Sequence, residues 1–310
     1  MQDSIIQHIE LFSGAASPAA ARVYAAITVD KTHQFDSKQF KLRGHLIGPQ
    51  CEFAHTLSAR IPLADRGSDE TLLAEAIVPD PCFWTPELPF LYRAELELVD
   101  GASVVLRYDG NVGIRRLGSR GRELYFEGKR FVLRGANCHF NEGVPTGDEL
   151  AYMRETWTAA IVSWPSDALC QLASRSGILL IADLRASQVN VSQHHAAERV
   201  RGVAQWPAVA MAIVDAETIP LVEFRGGVRN LLIGQYVRAT ESTPVAEQAQ
   251  IVFAEVGEPS DFAHQLVQYN RPVIAVRRLE QLTTIEASRA ACDALQRDLA
   301  MAGDFAGYVV

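Results

Sequence analysis

Acidic residues follow several of the most apolar runs of the sequence. Asp183 ends the run "LLIAD", Asp215 and Glu217 lie at the end of "VAMAIVDAE", and Glu255 ends "AQIVFAE". If these runs are strands, two of the carboxyl groups could act together, one as a general acid and one as a nucleophile or base. The default alternative is that these residues are solvated loop acids.

A fourth apolar run, "RPVIAVR" from residue 271 to 277, ends on an arginine instead of an acid. A guanidinium is permanently protonated, so it acts neither as a nucleophile nor as a general base. Arg277 therefore weighs against an intact pair of catalytic carboxylates at this position.

Other side chains could bind a ligand near these strand ends. Trp164 and Trp206 could form an aromatic platform for the apolar face of a sugar ring, with packing in the core or at the rim as the alternative. His139 is expected to order a loop by hydrogen bonding. His194 and His195 are adjacent and lack a carboxylate at metal-ligand spacing. We therefore predict no metal site, and the sequence carries no nucleotide or phosphate-loop motif that would indicate a cofactor.

Two kinds of pattern divide the chain into the elements that must position these residues. Residues 1–117 contain short alternating segments separated by turn residues, which is typical of an antiparallel β-sandwich of immunoglobulin-like size. Residues 118–310 begin with a β-hairpin, "RELYFEGKRFV", and continue with eight apolar runs that mostly alternate with helical patterns. The sequence thus predicts a multidomain β plus α/β protein: an immunoglobulin-like β-sandwich domain followed by a compact (β/α)8 TIM barrel.

Composition excludes several classes of protein. The formal net charge of −8 opposes nucleic-acid binding, which needs clustered lysine and arginine. The five cysteines form no C-x-x-C pair, so we expect reduced, mostly buried thiols. The N-terminal residues lack the pattern of a signal peptide, and no apolar run is long enough to cross a membrane. We therefore expect a cytoplasmic protein that has no membrane partner.

Three ordered motifs resemble glycoside hydrolase family 2, which includes β-galactosidases, β-glucuronidases and β-mannosidases. The family closes its sandwich domain with a Trp-(Ser/Thr)-Pro-Glu-x-Pro-x-Leu-Tyr run, crosses to the barrel through Gly-(Phe/Ile)-Arg, and has a characteristic first barrel strand. The matching residues are Trp84, Pro86, Glu87, Pro89, Leu91 and Tyr92, then Gly113, Ile114 and Arg115, then Gly128, Lys129, Leu133, Arg134, Gly135, Asn137 and His139. The resemblance begins at the sandwich, so we expect a degenerate member without the family's N-terminal jelly-roll domain.

The resemblance implies specific roles at the strand ends. Glu217 lies at the family's acid/base position, although Ala216 replaces the asparagine that precedes it. Arg277 lies where the family has its nucleophilic glutamate, and Val162 lies where a substrate-binding arginine is expected. Asp183 occupies an acidic position of the family, one methylene shorter. The resemblance therefore implies a glycosidase fold whose retaining mechanism is lost.

Three hypotheses of function remain open. The first is a pseudoenzyme that binds a carbohydrate or serves as an interaction scaffold, with Arg277 contacting Glu217 as the remnant of a glycosidase site. The second is an active O-glycosyl hydrolase of altered mechanism, with Glu217 as acid and another carboxylate, such as Asp183, Asp215, Glu255 or Glu280, replacing the lost partner. The third is a structural subunit, in which a protein partner or a homo-oligomer is expected.

Overall fold

The computed structural model contains two compact units, Met1–Arg115 and Arg116–Val310. The residues that it describes are 6–29, 40–67, 72–138, 140, 145–238, 244–257, 269–279, 282 and 284–310. His139 and Glu280, both named above, lie outside the described residues.

The first unit is a curled antiparallel sheet of seven strands in the order β1-β2-β5-β4-β3-β6-β7. Strand β4 pairs with β3 along most of its length and with β5 at Ala64 and Asp65, so it joins the two halves of a sandwich-like fold. The strands are β1 (Ile6–Ala16), β2 (Ala20–Val29), β3 (Phe40–Gln50), β4 (Ala59–Asp65), β5 (Leu72–Pro79), β6 (Leu91–Asp100) and β7 (Ser103–Val112).

Alternation of apolar and polar residues explains why these segments are strands. Along β6, Tyr92, Ala94 and Leu96 are buried, whereas Arg93 is exposed between them. Successive side chains of a strand point to opposite faces, so one face builds the core and the other carries charge. The buried faces of both halves contribute to one hydrophobic cluster.

The tryptophan motif of this unit is structural. Trp84 is fully buried and pairs with Pro89 in an isolated bridge. The Tyr92 hydroxyl accepts a hydrogen bond from the backbone N–H of Cys82 at 2.9 Å, and burial raises the pKa of this phenol to about 12. Tyr92 belongs to the sandwich core, and its bond to Cys82 ties the segment between β5 and β6 to that core.

The second unit contains a closed barrel of eight parallel strands, preceded by a three-stranded antiparallel sheet. Strands β9 and β10 form the predicted hairpin, whose turn residues Glu127 and Gly128 both have positive φ, as a tight hairpin turn requires. The small sheet comprises β8 (Leu117–Arg120), β9 (Glu123–Phe126) and β10 (Lys129–Phe131); the barrel comprises β11 (Leu133–Asn137), β12 (Thr158–Ser163), β13 (Leu180–Asp183), β14 (Val209–Val214), β15 (Leu232–Arg238), β16 (Ile251–Glu255), β17 (Val273–Val276) and β18 (Gly307–Val309).

Helices occupy the described crossovers of the barrel unevenly. Thr146 caps the first helix with a reciprocal bond to Glu149, and Ser166 and Ser192 cap two others through their hydroxyls. The crossover from β14 to β15 carries only short 3-10 turns. The helices are α1 (Gly147–Thr156), α2 (Asp167–Ser176), α3 (Ala186–Val189), α4 (Gln193–Ala204) and α5 (Ile285–Asp298).

The structure confirms the prediction of a sandwich-like unit followed by an eight-stranded parallel barrel. All eight predicted barrel strands are present because their apolar runs are buried on both faces; every residue of β14, for example, is buried. The regular alternation of eight strands with eight helices stays a prediction. None of the helices in the described part of the chain is long and apolar enough to cross a membrane.

Candidate functional site

A cavity of about 280 Å³ opens at the carboxyl-terminal ends of the barrel strands. This is the end of a parallel barrel at which strand-end side chains and loops converge. Its polar lining comes from β11, β12, β13 and β15 and from residues that follow β13 and β17: Asn137, Ser163, Asp183, Arg185, Gln188, Tyr236 and Arg278. We refer to it as the mouth cavity.

Asp183, the last residue of β13, is held by an arginine two residues later in the chain. The Arg185 guanidinium donates from Nε to Oδ1 at 2.9 Å and from Nη2 to Oδ2 at 2.6 Å, and the Arg185 backbone N–H donates to the same carboxylate at 3.3 Å. Asp183 is only 7% exposed. This bidentate geometry is the strongest form of carboxylate–guanidinium pairing, and it occupies both oxygens of Asp183.

A second network joins three strand ends on the other side of the mouth cavity. The Tyr236 hydroxyl of β15 donates to Oε2 of Glu255 at 2.8 Å, and Arg278 donates from Nε to the same hydroxyl at 3.3 Å. The Arg278 Nε also lies 3.4 Å from Oε1 of Glu255. Arg185 connects the two networks because its guanidinium carbon lies 3.9 Å from the centre of the Tyr236 ring, in cation–π contact.

These contacts set the protonation of the second network. Burial, followed by the hydrogen bond to Glu255, raises the pKa of the Tyr236 phenol. The bond to Tyr236 is the main reason that the pKa of Arg278 is also raised. Near neutral pH the Tyr236 phenol therefore keeps its proton and donates a hydrogen bond to Glu255, while Arg278 stays charged.

Glu217, at the predicted acid/base position, lies in the turn that follows β14. Its side chain is exposed, and it is not among the described residues that line the mouth cavity. Asp215, two residues earlier, accepts hydrogen bonds from the Ser187 backbone at 3.0 Å and the Ser187 hydroxyl at 2.8 Å. The Asp215 carboxylate thus anchors α3, and the two acids of this turn are not brought together with Asp183 by any described ion pair or hydrogen bond.

The predicted contact between Arg277 and Glu217 is wrong. Arg277 donates from Nη1 to Asp298 of α5 at 2.6 Å, and no ion pair joins it to Glu217 among the described residues. Strand parity is the reason: Val276 and Arg278 line the mouth cavity, so the side chain between them points to the helices outside the barrel. Arg278, and not Arg277, is the arginine that β17 directs to the mouth.

The two tryptophans do not form a common platform. Trp164 follows the carboxyl-terminal end of β12, and its ring stacks on His195 at 5.5 Å with an interplanar angle of 7°. Trp206 precedes the amino-terminal end of β14, which places it at the opposite end of the parallel barrel. The two rings therefore do not form the common platform that the sequence allows as an alternative to packing, and one ring face of Trp164 is covered by a histidine. No group of three potential metal ligands occurs in the part of the chain that the structure describes.

Sequence reasoning missed Arg185, Tyr236 and Arg278. The signal for Arg278 was present, because it shares the parity of Ile274 and Val276 along β17, whereas Arg277 does not. Arg185 and Tyr236 carried no comparable signal, since their roles depend on which strand ends meet around the closed barrel.

Comparison with known proteins relates the sandwich unit to a family. Residues 8–115 match the model of glycosyl hydrolases family 2. A β-galactosidase of Oenococcus oeni is 33% identical over 72 residues, and one of Alteromonas mediterranea is 35% identical over 74 residues. Each match covers about a quarter of this chain, 23% and 24%, but only 7% of the relative.

Solved structures resemble nearly the whole chain. A Bifidobacterium dentium β-glucuronidase complexed with coumarin-3-O-glucuronide has a TM-score of 0.64 at 15% identity, covering 98% of this chain and 59% of that one. A Bacteroides uniformis β-glucuronidase has a TM-score of 0.67 at 16% identity, covering 97% of this chain and 45% of that one. At such identities the likeness shows a shared fold, and the chain spans about half the length of these neighbours. Residues 8–115, which form the sandwich, thus match glycosyl hydrolases family 2.

Proposed function

We propose that this chain is a pseudoenzyme of its family, which binds a carbohydrate at the barrel mouth and does not cleave it by the retaining route. Its domains would be an immunoglobulin-like sandwich, residues 1–117, and a compact (β/α)8 barrel, residues 118–310. The observation that carries the proposal is the pairing of two strand-end carboxylates, Asp183 with Arg185 and Glu255 with Tyr236 and Arg278.

A retaining mechanism needs one carboxylate that is free to attack and one carboxylic acid that protonates the leaving oxygen, about 5 to 5.5 Å apart. Both oxygens of Asp183 already accept bonds from one guanidinium. Glu217 is exposed in its turn, and Arg277, at the family's nucleophile position, pairs with Asp298. The described side chains thus supply no acid and nucleophile held together.

The carbohydrate part of the proposal has independent support. One structural neighbour is a β-glucuronidase in complex with a glucuronide, and the curated relatives are β-galactosidases. The mouth cavity of about 280 Å³ combines polar strand-end groups with an apolar floor that includes Ile161 and Ile213. A cavity at the small end of the usual range for ligand sites suits a monosaccharide unit better than a long glycan.

A turnover assay on a panel of aryl glycosides tests the proposal. We expect no hydrolysis above background by the wild-type protein, and no change on Glu217→Gln. The matched control is Glu223→Gln, which removes another exposed acid of the same crossover. Turnover that is lost in Glu217→Gln and kept in Glu223→Gln would refute the proposal, and binding on a glycan array without turnover would support it.

An active hydrolase of altered mechanism is the second candidate, and the freedom of Glu217 favours it. Glu217 is exposed and forms no ion pair among the described residues, so it could protonate a leaving group without first breaking a bridge. In this case the same assay gives the opposite result, with activity that depends on Glu217.

A further inference from the structure

Arg278 lines the mouth cavity, and the described residues leave the terminal edge of its guanidinium without a hydrogen-bond partner. Its Nε lies 3.3 Å from the Tyr236 hydroxyl and 3.4 Å from Glu255, and its guanidinium carbon lies 5.6 Å from the centre of the Tyr236 ring. Its terminal nitrogens, Nη1 and Nη2, bond to none of the described residues, and the side chain is 52% exposed while lining the cavity. The other guanidinium of the cavity, Arg185, is in contrast taken up by Asp183.

The orientation of this edge is held in advance of any ligand. The Tyr236 hydroxyl accepts from Arg278 and donates to Glu255, and the Tyr236 ring is itself stacked against Arg185. A guanidinium held by its Nε keeps its two terminal nitrogens in one plane as a fork. That planar fork matches the two oxygens of a carboxylate.

Neutral hydrogen-bonding groups face the same cavity. Asn137 at the end of β11 and Ser163 at the end of β12 are both exposed there. An amide and a hydroxyl can each donate to or accept from the hydroxyls of a ligand. Beside the Asp183–Arg185 pair, Gln188 and Tyr236, the cavity of about 280 Å³ thus presents the Arg278 fork and these two neutral polar groups.

We infer that the mouth cavity binds a small polyhydroxy carboxylate, with its carboxylate on the Nη1 and Nη2 fork of Arg278 and its hydroxyls near Asn137 and Ser163. The inference rests on the proposed function for the location of the site, and it goes further by making a negative charge, and not a sugar ring, the group that is recognised. It needs no bond cleavage and no cofactor.

Calorimetric titration with a matched pair of probes tests this inference. Gluconate and sorbitol have the same six-carbon polyol chain and differ in the carboxylate. We expect the wild-type protein to bind gluconate roughly tenfold or more tightly than sorbitol, because a charge-assisted hydrogen bond raises affinity by about tenfold or more. Equal binding of the two probes, or no binding of gluconate, would overturn the inference.

Two neighbouring arginines provide the matched variants. Arg278→Gln should weaken gluconate binding roughly tenfold or more, whereas Arg277→Gln, which removes the partner of Asp298 outside the barrel, should leave it unchanged. Gluconate binding that survives Arg278→Gln would overturn the assignment. Displacement of gluconate by inorganic phosphate at comparable affinity would overturn the choice of a carboxylate in favour of a general oxyanion site.

The outcomes separate this inference from the proposed function. Glycoside turnover that depends on Glu217 would refute the pseudoenzyme while leaving the gluconate result intact. A folded Arg278→Gln protein, verified by an unchanged unfolding midpoint, would exclude misfolding as the cause of lost binding.

Discussion

Asp183 illustrates at the scale of one residue that the position of a carboxylate on a barrel strand does not decide its chemistry. It ends β13 at the mouth, where a catalytic acid could lie, yet Arg185 occupies both of its oxygens in a largely buried pair. Removing one partner of such a pair leaves the other charge uncompensated. The Asp183 side chain therefore contributes to stability as well as to the lining of the cavity.

We expect Asp183→Asn to lower the free energy of unfolding by about 2 to 3 kcal/mol, because Arg185 loses its charged partner in a desolvated site. Urea denaturation would measure the loss. The control is Asp298→Asn, which breaks the pair with Arg277 where Asp298 is 44% exposed and should cost less than about 1 kcal/mol. Equal effects of the two substitutions would contradict the prediction.

Glu75 gives the sandwich a dependence on pH. The bond from Arg22, with further bonds from Arg66 and Tyr24, lowers the pKa of this buried carboxyl below its ordinary value of about 4.3. Its stabilisation is therefore complete above that ordinary value and is lost as the pH falls through the lower, folded-state pKa. Hydrogen exchange of β2 and β5 amides should show Glu75→Gln less protected than wild type at pH 7, with the difference shrinking below about pH 4. A difference that persists unchanged in acid would refute this linkage.

The register of single elements decides which side chains enter the mouth cavity. In β17, the four buried residues Val273–Val276 place Arg278 on the cavity side and Arg277 on the helix side. Close packing around the barrel holds this register. Gly307 of β18 illustrates it, because a Cβ there would lie 2.6 Å from the Leu133 Cβ and 3.0 Å from the Leu133 carbonyl oxygen.

Gly307→Ala should therefore destabilise the barrel by about 1 to 3 kcal/mol, since the obstructing atoms belong to the main chain and the first side-chain carbon of β11 and cannot turn away. Thermal unfolding would measure the effect. Gly118→Ala in β8 is the control, because a Cβ there meets nothing within 4 Å, and it should change stability by less than about 0.5 kcal/mol. A Gly307→Ala protein as stable as wild type would contradict the described contact of β11 with β18.

At the scale of the whole molecule, burial sorts the five cysteines into two classes. Cys138, Cys170 and Cys292 are buried in the barrel unit, whereas Cys51 and Cys82 are partly exposed in the sandwich unit. Burial raises the pKa of Cys138 and Cys170 to about 12, and it raises the pKa of Cys82 and Cys292 as well. The thiolate is the reactive form, so burial protects these thiols twice, by access and by ionisation.

A thiol-specific reagent at pH 8 should therefore modify two of the five cysteines of the native protein, Cys51 and then Cys82, and all five after unfolding. Quantitation of the released chromophore measures the count, and Cys51→Ser should remove the faster native phase. Rapid modification of three or more thiols in the native protein would show that the barrel opens readily.

The sequence by itself determined where the strands lie, because alternation and continuous apolar runs are local signals of half-buried and fully buried strands. The eight barrel strands, the β9–β10 hairpin and the sandwich pattern were all predictable on that basis. The sequence also indicated that acidic residues follow the strands, but it could not say which of them would be neutralised.

Only the tertiary structure decided the partners at the mouth. Tyr236 meets Glu255 and Arg278 across 19 and 42 residues of chain, and Arg277 meets Asp298 across 21, because barrel closure sets which strand ends and helices are adjacent. A shift of one residue along β17 would turn Arg277 instead of Arg278 toward the cavity, because successive side chains of a strand point to opposite faces. The apolar pattern of the sequence did not fix this single-residue choice. The roles predicted for Glu217 and Arg277 rested on their positions along the chain. The contacts among Asp183, Arg185, Tyr236, Glu255 and Arg278 form only because the closed barrel brings their strand ends together.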